Sequence, residues 1–205
     1  MPKYKNLIIF GATGMTGQAC IGQALKLGHE VTAFTRDPSK LGDEIKDKVT
    51  VKQGDVLDRA AVEDAMKGHE AVISVLGTGR EMGPTTVMSE GIKNILSAME
   101  KRGIKRISVQ CACFQFWDRA KVPPIYSHVN EDHHRVLDCL TASKAEWIAL
   151  LPPALKNIPG TGKYIIKHEA GIDGPCSIHD IAHFHVTGIN DDVNLYHRIG
   201  IVNIT

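Results

Sequence analysis

Short apolar runs alternate with helix-period stretches along most of the chain. Residues 7–10, Leu-Ile-Ile-Phe, form an unbroken apolar run of strand length. Residues 15–27 carry a helical pattern, and Gly28 stands where a helix stops. Further strands are predicted at residues 31–35, 49–53, 71–76, 107–109 and 147–151. Asp58 suits the N-cap of a helix running through Ala65 and Met66, and two more helices are predicted at 86–102 and 131–140. The run 71–76 is almost wholly apolar, as strands covered on both faces require. This alternation predicts an α/β fold: a doubly wound parallel sheet with right-handed crossovers and helices on both faces. Beyond Pro152 the pattern loosens, and Pro153, Pro159, Gly160 and Gly162 mark loops. A strand at 164–167 and a helix at 178–186 are the elements expected there. No repeat or linker interrupts the chain, so residues 1–205 read as one domain.

Composition narrows the classes. The hydrophobic fraction of 43% and charged fraction of 23% are ordinary for a globular protein, and 205 residues allow a sizeable core. A net charge of +1 gives no bulk field for nucleic acid or a membrane surface. No apolar stretch approaches the roughly twenty residues that span a bilayer, and residues 7–10 are too short for a signal-peptide core. The five cysteines are odd in number, without zinc-finger spacing, and Cys111 and Cys113 stand too close for a CxxC pair. Free thiols in a reducing, cytoplasmic compartment are expected. The near-neutral charge and absent linker fit a monomer acting on a small molecule.

The chemistry begins at Gly11-Ala-Thr-Gly14-Met-Thr-Gly17, between the first strand and first helix. There Gly11 permits a tight turn, Gly14 lets a pyrophosphate approach the backbone, and Gly17 allows close helix–sheet packing. The placement identifies the dinucleotide-binding turn of a Rossmann fold, with phosphates meeting amides at a positive helix end. The alternative is three turn glycines without a ligand. Thr35-Arg36 closes the second strand, where an NAD-specific fold usually carries a carboxylate. Arg36, with Ser39 and Lys40 nearby, suits a 2′-phosphate and favours NADPH as the cofactor, unless these residues form a solvated basic loop. Asp55 and Val56 follow the third strand and suit adenine, although Asp55 suits a plain turn equally. Leu76-Gly77-Thr78 follows the fourth, where Gly77 lets a ribose pass close to the backbone.

These segments resemble the biliverdin reductase B family of NADPH-dependent flavin reductases, which are atypical short-chain dehydrogenases. Phe10-Gly-Ala-Thr-Gly14, Thr35-Arg-Asp37, Gly54-Asp-Val56, Leu76-Gly-Thr78 and Pro84-Thr-Thr-Val-Met-Ser-Glu-Gly91 carry the resemblance. Trp117-Asp118, Lys121-Val-Pro-Pro124, Asp132-His133, Pro152-Pro153 and His179-Asp180 extend it over nearly the whole chain. The resemblance implies reduction of flavins such as FMN and riboflavin, and of some biliverdin isomers, by hydride from nicotinamide. It implies that Gly11, Thr13, Gly14, Met15 and Thr16 hold the pyrophosphate, and Arg36, Ser39 and Lys40 the 2′-phosphate. Leu76, Gly77, Met88 and His133 would line the rest of the cofactor groove, and Phe114 and Trp117 would border the substrate.

The departures cluster on the substrate side. Ala112 stands where the family has a serine beside the nicotinamide, and Ala154 where it has a histidine. Gly188 replaces a cysteine, Ile125 an arginine, and Lys40 an arginine. Tyr164 and Lys167 lack the Tyr-x-x-x-Lys spacing of typical short-chain dehydrogenases. Gln110, Cys111, Ala112 and His133 remain the nicotinamide-side candidates, with no catalytic residue assigned. Cys111 and Cys113 read equally as buried strand-end residues. Phe114, Phe116 and Trp117 can be a ligand wall or core. His179 and His183, i and i+4 on a helix, have metal-ligand spacing without an HExxH pattern, and no metal is expected. Flavin reduction needs chiefly proximity and orientation, which survive these losses. An NADPH-sensing or bilin-binding protein with weakened catalysis is the alternative.

Overall fold

The computed structural model describes residues 2–204. Its first half follows a strand–helix alternation: β1 (Asn6–Phe10), α1 (Met15–Lys26), β2 (Glu30–Thr35), α2 (Asp43–Lys46), β3 (Thr50–Gln53), α3 (Arg59–Ala65), β4 (Ala71–Ser74) and α4 (Val87–Arg102). Then come β5 (Arg106–Gln110), α5 (Ser127–Thr141), β6 (Glu146–Leu150), β7 (Ala154–Lys156), β8 (Tyr164–His168), β9 (Pro175–Ser177), α6 (Ile178–Gly188) and β10 (Arg198–Asn203). Eight strands form one sheet in the order β3-β2-β1-β4-β5-β6-β10-β8. The first six positions give the Rossmann order, with its crevice at the paired β1 and β4, where the strand order reverses.

The apolar runs explain the two layers. Successive side chains on a strand point to opposite faces, so a doubly covered strand must be apolar throughout. In β1, Leu7 and Ile9 join Ile21 and Ala24 of α1 and Ala182 and Val186 of α6 in one core. Ile8 and Phe10 join Ile92, Ile95 and Met99 of α4 and Val136 and Leu140 of α5 in the other. Local signals mark the helix ends. Asp58 accepts the N–H groups of Ala60 and Ala61 at 2.9 and 3.1 Å, a cap of about 1 kcal/mol. Gly103 closes α4 at φ 69°, a left-handed conformation that suits glycine.

The departures lie in the second half. The sheet is parallel except for its last pair, where β8 runs antiparallel to β10. β10, β7, β9 and α2 were not expected from the pattern; all are six residues or fewer, too short for periodicity to declare them. α5 begins at Ser127 rather than 131 because its first turn, Ser-His-Val-Asn, is mostly polar and follows the Pro123-Pro124 turn. β4 ends at Ser74, two residues before the apolar run does, because Val75 and Leu76 turn out over the crevice.

Candidate functional site

A groove of about 1420 Å³ runs along the carboxyl ends of the strands. Gly11, Thr13, Gly14, Met15, Thr16, Arg36, Lys40, Asp55, Val56, Leu76, Gly77 and Gln110 all line it. Neighbouring strands lie about 4.8 Å apart, so the three steps from β2 to β5 separate Arg36 from Gln110 by roughly 14 Å. An extended dinucleotide fits that span.

The glycines divide their work by what a side chain would meet. Gly11 sits at φ 78°, and a Cβ there would lie 2.4 Å from the Val75 carbonyl oxygen. A Cβ on Gly17 would lie 2.1 Å from the Gly11 carbonyl oxygen. Both close approaches are made by protein backbone. Gly14 is different: only the Gly11 carbonyl lies near, at 3.4 Å, and its open side faces the groove. It caps α1 without a side chain, leaving the first-turn N–H groups of the helix free for an anion. Gly77 has no protein atom within 4 Å of its virtual Cβ, a second cradle bounded by open groove.

At the β2 end, Arg36 is exposed and its guanidinium has no hydrogen bond or ion pair among the described residues. Asp37, the carboxylate beside it, is engaged locally. It accepts Ser39 Oγ at 2.6 Å and Ser39 N at 3.1 Å, and lies 3.8 Å from Lys40 Nζ. The Ser39 bonds hold the Asp37 carboxyl below its usual range. Ser39 thus closes the loop and is absent from the groove lining. Asp55 accepts the Leu57 N–H at 2.9 Å through Oδ1, so it makes the turn and still faces the groove.

The opposite end is built by tertiary contacts. Gln110 reaches the groove from β5 with Oε1 buried and unpaired. Leu155 of β7 lines the same groove. Residues 83–87 form a side wall, fastened by Asp132 of α5. Thr86, the N-cap of α4, makes no side-chain cap. Asp132 takes over that function. It is fully buried and accepts the N–H groups of Met88 and Ser89 at 2.9 and 3.4 Å, the Ser89 hydroxyl, and the Arg135 guanidinium. Arg135 in turn donates to the Thr85 carbonyl at 2.8 Å. Charge-assisted bonds at a helix N-terminus are the strong kind.

Several sequence candidates lie elsewhere. Met88 is 2% exposed and packs in the core beneath the wall rather than facing the groove. Cys111 is 2% exposed, and burial pushes its thiol up to about 12, which removes it from the nicotinamide side as a reactive group. His133 is buried beside Asp132, outside the lining, with Nδ1 unpaired. Burial pushes its pKa down to about 4, so it is neutral at neutral pH. Ala112 is half-buried and also outside the lining. Phe114 packs against Trp117 and Tyr126 at centroid distances of 5.0 and 5.1 Å, an aromatic knot that does not line the groove. The three histidines of α6 diverge: His179 is exposed, His183 pairs with the Tyr164 hydroxyl, and buried His185 with Ser108. Sequence reasoning missed Leu155, Asp37, Arg135 and the role of Asp132. Asp37 and Asp132 carried a signal, in Thr35-Arg-Asp37 and Asp132-His133, and the target of Asp132 on α4 is far away in the chain.

A family profile described as NAD(P)H-binding matches residues 11–192, nearly the whole chain. The chain belongs to this NAD(P)H-binding family. NAD(P)H is therefore the cofactor of this groove, and the Gly14 and Gly77 cradles and the unpaired Gln110 oxygen fit it. An isoflavone reductase homolog of Zea mays is 36% identical over 80 residues, 35% of this chain and 26% of its own length. A chloroplastic protein of Arabidopsis thaliana is 25% identical over 182 residues, 82% of this chain and 65% of its own. The chain thus spans less than two thirds of either relative. A short-chain dehydrogenase/reductase of Veillonella parvula, solved in complex with NADP, shares the fold with a TM-score of 0.76. That match has 20% identity and covers 97% of this chain and 94% of the other.

Proposed function

We propose that the protein is an NADPH-dependent reductase of planar conjugated acceptors, flavins such as FMN and riboflavin first and biliverdin second. The observation that carries this reading is the composition of the groove's lining beyond the glycine turn: the Gln110 amide and the Leu155 isobutyl group both line it. Nicotinamide bound there supplies a hydride. Hydride acceptance by a flavin asks for alignment over the donor, and water can deliver the proton. Ala112 and Ala154 have no proton to give, so this chain's part is binding, orientation and exclusion of water. Gln110 Oε1 suits an amide N–H of nicotinamide or acceptor. The amides from Thr13 to Gly17 suit the pyrophosphate, Leu76 and Gly77 the ribose, and Asp55 with Val56 the adenine. Arg36 and Lys40 suit the 2′-phosphate, with the Asp37 carboxylate between them engaged by Ser39. The resemblance to flavin reductases supports the acceptor class. Five free thiols, three of them at or below 2% exposure, support a reducing cytoplasmic setting, and we read the protein as a monomer.

The loss of the family serine and histidine favours a second reading, an NADPH sensor or bilin binder without turnover. NADPH oxidation followed in the nicotinamide absorbance band, with FMN and with biliverdin, separates the two. Turnover with FMN is the expected result. Saturable NADPH binding with neither acceptor turned over would overturn the reductase reading.

A further inference from the structure

The cofactor end of the groove is made of backbone, but its far end depends on one short strand. β7 is three residues long, and all of them are exposed. Nothing local holds such a segment. It is held from behind by residues distant in the chain. Leu155 pairs in register with Cys176 of β9, which is fully buried. Ser177, the next residue, donates its hydroxyl to the Ile158 carbonyl at 2.6 Å. Asp180, in the first turn of α6 and 1% exposed, accepts the N–H groups of Thr161 and Gly162 at 3.0 and 2.7 Å. Asn203 of β10 donates to the same carboxylate. Gly160 lets the loop lie flat on α6, since a Cβ there would sit 2.9 Å from His179 Cβ. Residues 158–162 are thereby pinned, and Leu155, 40% exposed, is presented to the groove that Gln110 also lines.

We propose that Leu155 is the specificity-determining residue for the acceptor, and that Asp180 is the positioning residue that sets it. This rests on reading the Gln110 end as the acceptor side. A branched apolar side chain and an amide lining one groove favour a flat ring with an apolar face and a hydrogen-bonding edge. They disfavour small polar carbonyl compounds, which would leave Leu155 covering nothing. His179-Asp180 thus acts on the acceptor site from a distance, through the loop and β7.

The test uses the whole protein saturated with NADP⁺, and lumichrome, a flavin-ring compound lacking the ribityl chain, as probe. Leu155→Ala is expected to weaken lumichrome binding about tenfold, while NADP⁺ affinity stays within about twofold of wild type. Asp180→Asn is expected to weaken lumichrome in the same direction. The double variant should be no weaker than Leu155→Ala alone, because both act on one wall. If Asp180→Asn does not fold, Asn203→Ala tests the same clamp. Unchanged lumichrome binding in Leu155→Ala, additive losses in the double variant, or an equal loss of NADP⁺ affinity would overturn the proposal. A protein that shows these binding effects yet oxidises no NADPH with FMN refutes the reductase reading and keeps the assignment of Leu155.

Discussion

The two ends of the groove are built by different means. Around Gly11 to Gly17 the walls are backbone within one turn of chain, and the space is set by what cannot be there. A Cβ on Gly17 would meet a carbonyl oxygen at 2.1 Å. Around Gln110 and Leu155 the walls are side chains, held by buried carboxylates from other elements. Asp132 fastens Met88 and Ser89, its neighbour Arg135 fastens Thr85, and Asp180 fastens residues 161–162. The first kind of wall tolerates almost no substitution. The second can be retuned by one side chain without disturbing the sheet.

The sharpest way to break this comparison is at the glycines. Gly17→Ala should abolish NADPH binding and destabilise the fold by about 3 kcal/mol or more, since backbone must move to admit the methyl. Gly77→Ala, with no protein atom near its Cβ, should keep its melting temperature and lose only cofactor affinity. Thermal unfolding beside a fluorescence titration checks both, and equal destabilisation of the two would erase the distinction. At the adenosine end, Arg36→Ala should weaken NADPH by about 10- to 100-fold through lost charge-assisted bonds, and NADH far less. Parallel losses for both cofactors would deny Arg36 a 2′-phosphate role.

Smaller effects probe the clamps. Arg135→Gln removes the hold on the Thr85 carbonyl but spares the Asp132 bonds to Met88 and Ser89. It should raise KM for NADPH about threefold with kcat nearly unchanged, a loss of well under 1.5 kcal/mol. An unaltered KM would mean residues 83–87 hold themselves. The smallest effect is in acid. Burial raises the Asp180 carboxyl, but the N–H groups of Thr161 and Gly162 and the Asn203 amide outweigh it and hold it below its usual value. A depressed folded pKa contributes stability that is present above the unfolded value, about 4, and is lost as pH falls through the folded one. Melting temperatures between about pH 3 and pH 6 should fall toward acid less steeply for Asp180→Asn than for wild type. Equal slopes would remove Asp180 from the acid response.

The chain's order along the sequence was enough to read β1 to β6, the doubly wound layers and the glycine turn. These depend on near neighbours: unbroken apolar runs, a cap at Asp58, a stop at Gly103, glycines at fixed offsets. The same locality made Arg36, Asp55, Val56 and Gly77 visible, since each sits just past a strand end. Locality failed where exposure depends on what packs on top. Met88 and Cys111 follow the right elements, but α4 and α5 bury them. Phe114 and Trp117 carry the right chemistry, but they pack on each other, and Phe114 also on Tyr126. β10 had no signal of its own: a six-residue strand is stabilised by its partners, and here β6 and β8 provide both ladders. By itself the sequence determined the fold class and the cofactor end, because those follow from periodicity and backbone sterics within a few residues. Tertiary structure decided how the rest of the groove is held, because Asp132, Arg135 and Asp180 act through contacts between residues 18 to 50 positions apart, which no local pattern encodes.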